Sequence, residues 1–202
     1  METTNLDPSR TAVLVIDMQK AFTEPGSPIC VAKAKETVPA IAKLVDQARG
    51  WGMKIFWIER KHRPDGSDLE AFRQKQLQEK GCLDLLSPSH PLFALAVGLE
   101  AKAPDQIVYK TRFSAFYATK LEQLLKTYDI DTLVLVGTQT PNCIRATAYD
   151  AAARNYRTIV INDCTSSATT TIQKANLQDL ANAGIEVLQD ADELHKLLNQ
   201  SL

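Results

Sequence analysis

Short apolar runs recur along the chain at Thr11 to Ile16, Met53 to Ile58, Gln106 to Tyr109, Leu133 to Val136, Thr158 to Ile161 and Ile185 to Leu188. Branched and aromatic residues in continuous runs of this length read as strands buried on both faces. Between them the spacing changes to that of amphipathic helices. Pro39 to Gly50 places Ile41, Leu44, Val45 and Ala48 on one face and stops at Gly50. A polar helix is predicted over Leu69 to Lys80, and further helices over Leu92 to Leu99, Ala115 to Tyr128, the alanine-rich stretch after Pro141, Thr171 to Ala183 and Ala191 to Leu198, with Ser114 and Thr140 as side-chain caps. Alternating buried strands and amphipathic helices predict an α/β fold, a parallel sheet covered on both sides. No repeat or linker interrupts the pattern, so 1–202 is read as one domain.

The polar residues that follow the strands change this picture from architecture to chemistry. Asp17, Arg60, Lys110, Cys143 and Asp163 all come at or shortly after strand carboxyl ends, where open α/β sheets hold ligands. Asp17 ends a buried run, where an unpaired charge is costly; it reads as a site residue or as a cap for the loop after it. Cys143 falls just after Pro141, in the predicted first helical turn, where unpaired N–H groups and the dipole favour an anion. That placement predicts a thiol that ionises readily, with N–H groups near Gln139, Asn142 and Cys143 available to an oxyanion. The plainer alternative is a small apolar residue at a helix–sheet contact. Asp17, Lys110 and Cys143 together make a base, a cation and a nucleophile suited to acyl transfer.

Composition narrows the classes. With 23 basic against 24 acidic residues there is no electrostatic footprint for nucleic acid. No apolar run reaches membrane-spanning length, and the first residues lack the basic and apolar regions of a signal peptide, so a cytoplasmic protein without membrane association is expected. The 4 cysteines form no Cys-x-x-Cys pair, and Cys30, Cys82 and Cys164 read as structural thiols. Residues 81–104, punctuated by Ser87-Pro88 and His90-Pro91, read as a lid or subunit contact, and a homo-oligomer, dimer or tetramer, is expected.

Val15-Ile16-Asp17-Met18-Gln19, Lys110 with Phe113-Ser114-Ala115-Phe116, and Gly137-Thr138-Gln139-Thr140-Pro141-Asn142-Cys143 occur in an order and spacing that resemble the isochorismatase-like cysteine hydrolases, which include nicotinamidases, N-carbamoylsarcosine amidohydrolases and ureidoacrylate amidohydrolases. The resemblance covers nearly the whole chain. It implies a three-layer α/β/α sandwich whose six-stranded parallel sheet has the order 3-2-1-4-5-6, with Asp17 and Cys143 on adjacent strands. Lys110 would then start about two interstrand spacings, roughly 10 Å, from Asp17. The resemblance also implies a non-proline cis peptide between Thr138 and Gln139 that turns the Gln139 and Cys143 N–H groups toward one oxygen. The implied reaction is C–N hydrolysis of a small-molecule amide or carbamoyl compound through a thioester, with Cys143 the nucleophile, Asp17 the base and acid, and Lys110 electrostatic support.

Metal-dependent nicotinamidases carry Asp-x-His after the second strand where this chain has Arg60-Lys61-His62. Arginine cannot ligate, so no metal and no other cofactor is expected, and His62 reads as a loop residue. Isochorismatases that cleave a vinyl ether often lack the cysteine, so Cys143 favours C–N hydrolysis; the vinyl-ether reaction stands as an alternative, beside a catalytically idle ligand-binding or redox-sensing member. Phe22, Gln19, Arg60, Phe113 and Asn142 are the substrate-binding candidates, Arg60 for a substrate carboxylate or else as a surface salt bridge. Trp57 reads as core, Phe116 as a possible pocket wall, and Asp163 as an organiser of its loop.

Overall fold

The computed structural model describes residues 5–199. Six parallel strands, β1 (Thr11–Ile16), β2 (Lys54–Arg60), β3 (Gln106–Lys110), β4 (Thr132–Thr138), β5 (Arg157–Ser166) and β6 (Glu186–Leu188), form one sheet in the order β3-β2-β1-β4-β5-β6. Every residue of β1 and β4 is buried. Alternate residues feed two different cores, as period-2 side chains must: Leu14, Phe56, Val108 and Leu135 on one face, Val13, Trp57, Val134 and Ile159 on the other. Helices α1 (Lys20–Thr23), α2 (Ala34–Gly50), α3 (Ala71–Glu79), α4 (Leu121–Thr127), α5 (Arg145–Ala152), α6 (Thr170–Asn182) and α7 (Ala191–Asn199) complete the layers. Among the described residues no helix is long and apolar enough to cross a membrane.

Strand order reverses at β1, whose neighbours are β2 on one side and β4 on the other. The crevice at a reversal is the open end of an α/β sheet, and β1 and β4 deliver Asp17 and the segment leading to Cys143 to it. Ile16 aligns with Gly137, so the two chains leave the sheet side by side. Gly137 has φ of +115°, and a Cβ there would lie 2.1 Å from the Ile16 carbonyl oxygen. Only glycine permits that approach.

Several helices differ from their expected bounds, each for a local reason. Helix α2 begins five residues before Pro39, because Ala34, Thr37 and Val38 are buried and extend its apolar face; a proline in the second turn costs the helix only one hydrogen bond. The stretch from Ser114 to Lys120 is not helical. Ala118 takes the left-handed region at φ of +52°, and Thr119 receives the Leu121 N–H at 3.2 Å, so α4 starts there. Ser114 instead bonds Asp150 of α5 and accepts the Phe116 N–H. Leu92 to Leu99 holds only a single 3-10 turn, Pro91–Phe93, after which Leu95 bridges Gln19 in extended form.

Candidate active site

Asp17 sits one residue beyond β1 with φ of +54°, a left-handed conformation that aspartate tolerates better than most side chains. Its N–H donates to the Ile58 carbonyl at 2.8 Å, which ties it to β2. Lys110, the last residue of β3, reaches across the intervening strand. Its Nζ lies 2.7 Å from Asp17 Oδ2, 3.1 Å from the Arg112 carbonyl and 3.5 Å from Cys143 Sγ. An ammonium has three donors, and these three contacts match them. Both members of the ion pair are about 1 % exposed or less, so the pair is screened little by water. Asp17 Oδ1 is buried without a hydrogen-bond partner, an acceptor kept open beside the thiol.

Cys143 does not occupy the first turn of an ordinary helix. Thr140–Ile144 is a single wide π turn ahead of α5, with Gln139 at its start; single π turns of this kind occur often at functional sites. Thr140 is not the cap: its hydroxyl donates to the Ser166 carbonyl at 3.0 Å, anchoring the turn to β5. The Thr138–Gln139 peptide is cis. Burial pushes the Cys143 thiol up to about 11, the negative charge of Asp17 adding to the effect and Lys110 and Arg60 opposing it. The expectation of a readily ionised thiol is therefore reversed, because desolvation outweighs a helix end that α5 does not supply at this residue. At neutral pH the sulfur carries its proton and needs a base to lose it.

Asp17, Cys143, Thr138, Gln139 and Asn142 line one cleft of about 260 Å³, together with Phe22, Arg60 and Phe113. Its size suits a small ligand. Arg60 is no surface salt bridge: it is 1 % exposed, is paired with Glu70, donates to the Thr111 carbonyl at 3.0 Å and stacks 5.4 Å from the Phe113 ring. His62 is a loop residue, as expected, but a buried one, held between Arg60 at 3.2 Å and Asp68 at 3.2 Å, and burial lowers its pKa. Gln19 does not join the cleft wall. Its amide nitrogen donates to the Arg60 and Phe93 carbonyls and its oxygen accepts the Arg60 N–H, so its polar atoms brace the loop after β1 against β2 and have none left for a substrate. Phe116 packs into the core against Tyr156, and Trp57 is core with its N–H on Asp105. Asp163 is exposed within β5, its N–H on the Gln189 carbonyl, outside the cleft.

Three parts of the wall carried no signal in the sequence. Pro28 to Val31 closes one side, where Cys30 joins the cleft instead of a core, and Arg73 and Gln76 enter from α3. The polar composition of α3 reads as a solvated helix, and only its packing over the cleft shows which residues turn inward.

Glu59 lies on the opposite face of β2 from Arg60 and is 7 % exposed. Burial pushes its carboxyl up to about 7, Asp17 adding and Lys61 opposing. A carboxyl whose pKa is raised on folding supports stability below its unfolded value and loses that support as pH rises through the folded one. Glu59→Gln should accordingly stabilise the protein by up to about 3 kcal/mol at pH 8, a Tm roughly 5–10 °C higher, with the gap closing toward pH 5. Thermal melts at the two pH values check this, and a gap independent of pH would refute the assignment.

A family model described as the isochorismatase domain matches residues 11–192. The chain belongs to the isochorismatase family. Among curated isochorismatase-family relatives, a protein of Arabidopsis thaliana described as a probable inactive nicotinamidase is 38% identical over 87% of this chain and 90% of its own. The maleamate amidohydrolase of Pseudomonas putida is 30% identical over 93% of this chain and 87% of its own. A solved isochorismatase family protein from Desulfovibrio vulgaris superposes with a TM-score of 0.88 at 39% identity, covering 94% of this chain and 98% of that one. Its likeness extends across the sheet order and the flanking helices described above.

Proposed function

We propose that this isochorismatase-family protein is a cysteine hydrolase that cleaves the C–N bond of a small amide or carbamoyl compound through a thioester. The observation that carries the reading is the convergence of Lys110 on both Asp17 and Cys143, at 2.7 and 3.5 Å, two residues that line one small cleft. Relatives named maleamate amidohydrolase and N-carbamoylsarcosine amidase support the same reaction class.

Cys143 Sγ attacks the substrate carbonyl carbon while Asp17 takes the thiol proton. That coupling is required because a thiol held near 11 offers almost no thiolate at neutral pH. The backbone N–H groups of Gln139 and Cys143 receive the oxyanion; one such donor is worth about 3–4 kcal/mol where it has been removed from other enzymes. As the tetrahedral intermediate collapses, the C–N bond breaks and Asp17 returns its proton to the leaving amine. Water then attacks the thioester, giving up a proton to Asp17; the C–S bond breaks and Asp17 passes that proton to the departing sulfur, which releases the acid and restores the thiol. Lys110 holds Asp17 in place through both steps.

The test is ammonia release from nicotinamide, carbamoylated amino acids and aliphatic amides, with acid-quenched samples digested and weighed. An acyl group on the Cys143 peptide during turnover is expected. Turnover with no adduct even under rapid quench, and with normal rates after Cys143 is blocked, overturns the covalent route. A redox sensor needs an exposed, easily ionised sulfur, whereas this one is 5 % exposed and protonated. Its alkylation by iodoacetamide should climb with pH without levelling below about pH 10; a plateau near pH 7 would favour the sensor.

A further inference from the structure

The charges around the cleft do not balance residue for residue. Asp17 is neutralised by Lys110, and Arg60 by Glu70. Arg73 also lines the cleft, and among the described residues it forms no ion pair. Its Nε is buried with no hydrogen-bond partner, and its Nη1 has only a long contact, 3.4 Å, to the Gln76 side chain. An unpartnered buried donor costs on the order of 1–3 kcal/mol, more for a charged group, and native structures rarely leave one without a purpose. Glu70, three residues earlier in the chain, gives one oxygen to Arg60; its other oxygen is buried without a hydrogen-bond partner, and its charge favours the charged form of Arg73 without a hydrogen bond to it. Burial and the repulsion of Arg60 both depress the pKa of Arg73. An anion entering the cleft would relieve each of these costs.

We infer that Arg73, with Gln76 beside it, is the receptor for a carboxylate on the substrate, so that the compound hydrolysed is an amide bearing an acidic group at its other end. The guanidinium fork matches a carboxylate with two parallel N–H donors, one of them the stranded Nε. Arg60, held through its Nε by His62 and through its Nη2 by Glu70 and the Thr111 carbonyl, supplies positive potential beside it. Phe22 and Phe113 leave an apolar middle for a short carbon chain. This assignment rests on the hydrolase reading for its chemistry but not for its binding, and the two can fail separately.

The probes are malonamate, succinamate and glutaramate, each paired with its neutral diamide. In the intact protein the best anionic amide should exceed its diamide at least tenfold in kcat/KM. Arg73→Gln should reduce that preference at least tenfold, lowering kcat/KM for the anionic amide far more than for the diamide, and Arg73→Lys should restore part of it. A structural role for Arg73 would lower both substrates together. Calorimetric titration of Cys143→Ala with the same compounds reads the receptor without turnover, and adding Arg73→Gln should erase the tighter binding of the acid amides. If amides are hydrolysed with no charge preference, or with one that survives Arg73→Gln, the receptor is wrong and the hydrolase stands. If no ammonia appears yet binding favours the acids through Arg73, the hydrolase is wrong and the receptor stands. Binding of neither form overturns the receptor.

Discussion

On the proposed mechanism, Cys143→Ala should lose amide hydrolysis by at least about a thousandfold, because the nucleophile acts in concert with Asp17, and Cys30, the other thiol on the cleft wall, contacts the Val31 carbonyl rather than Asp17 or Lys110. The fold should survive. The change deletes one buried sulfur at the margin of a large core, which costs about 1 kcal/mol and a few degrees in Tm. Lys110 keeps its contacts with Asp17 and the Arg112 carbonyl, so no buried charge is stranded. Steady-state ammonia assays beside a thermal melt separate the two effects. Hydrolysis at the wild-type rate in a well-folded Cys143→Ala protein would remove the sulfur from the mechanism altogether.

Gly137→Ala should be the most damaging small substitution in the molecule. The added methyl would meet the Ile16 carbonyl oxygen at 2.1 Å and its nitrogen at 2.8 Å, and both are backbone atoms of a fully buried strand that cannot swing aside. The residue would also have to hold φ at +115°, which alanine strongly disfavours. A loss of at least about 4 kcal/mol is expected, lowering Tm by roughly 10 °C or leaving the protein insoluble. The lesion lies between Asp17 and Cys143 in space, so any soluble fraction should also be inactive. A Tm within a degree or two of wild type would show that β1 and β4 are less tightly joined than their alignment indicates.

Asp17, Lys110 and Cys143 are legible in the sequence because each follows an apolar run closely, and burial patterning places the ends of such runs at one rim of a parallel sheet. The strand order follows from the family resemblance, and the sheet has it. What patterning does not reveal is where a polar side chain turns once its backbone is placed. Gln19 and Arg73 illustrate the two directions of that failure. Gln19, two residues after Asp17, looks available to a ligand and is consumed by backbone groups of two other segments. Arg73, in a helix that reads as solvated throughout, faces the cleft because the packing of α3 near Phe113 fixes its rotation. The state of the thiol was equally hidden: a local rule about helix ends points to an easy ionisation, and the surrounding burial decides otherwise.

Lys110 ends an outermost strand, one that has a partner on a single flank, with Ile107 and Tyr109 left facing solvent. Because neighbouring positions on a strand look to opposite sides, sliding β3 by a single residue along β2 would swing the ammonium away from the cleft and present Tyr109 or Thr111 in its stead. On the proposed mechanism, activity is thus hostage to the pairing of an edge strand, and mild conditions that loosen that edge should silence the enzyme well before the centre of the sheet comes apart.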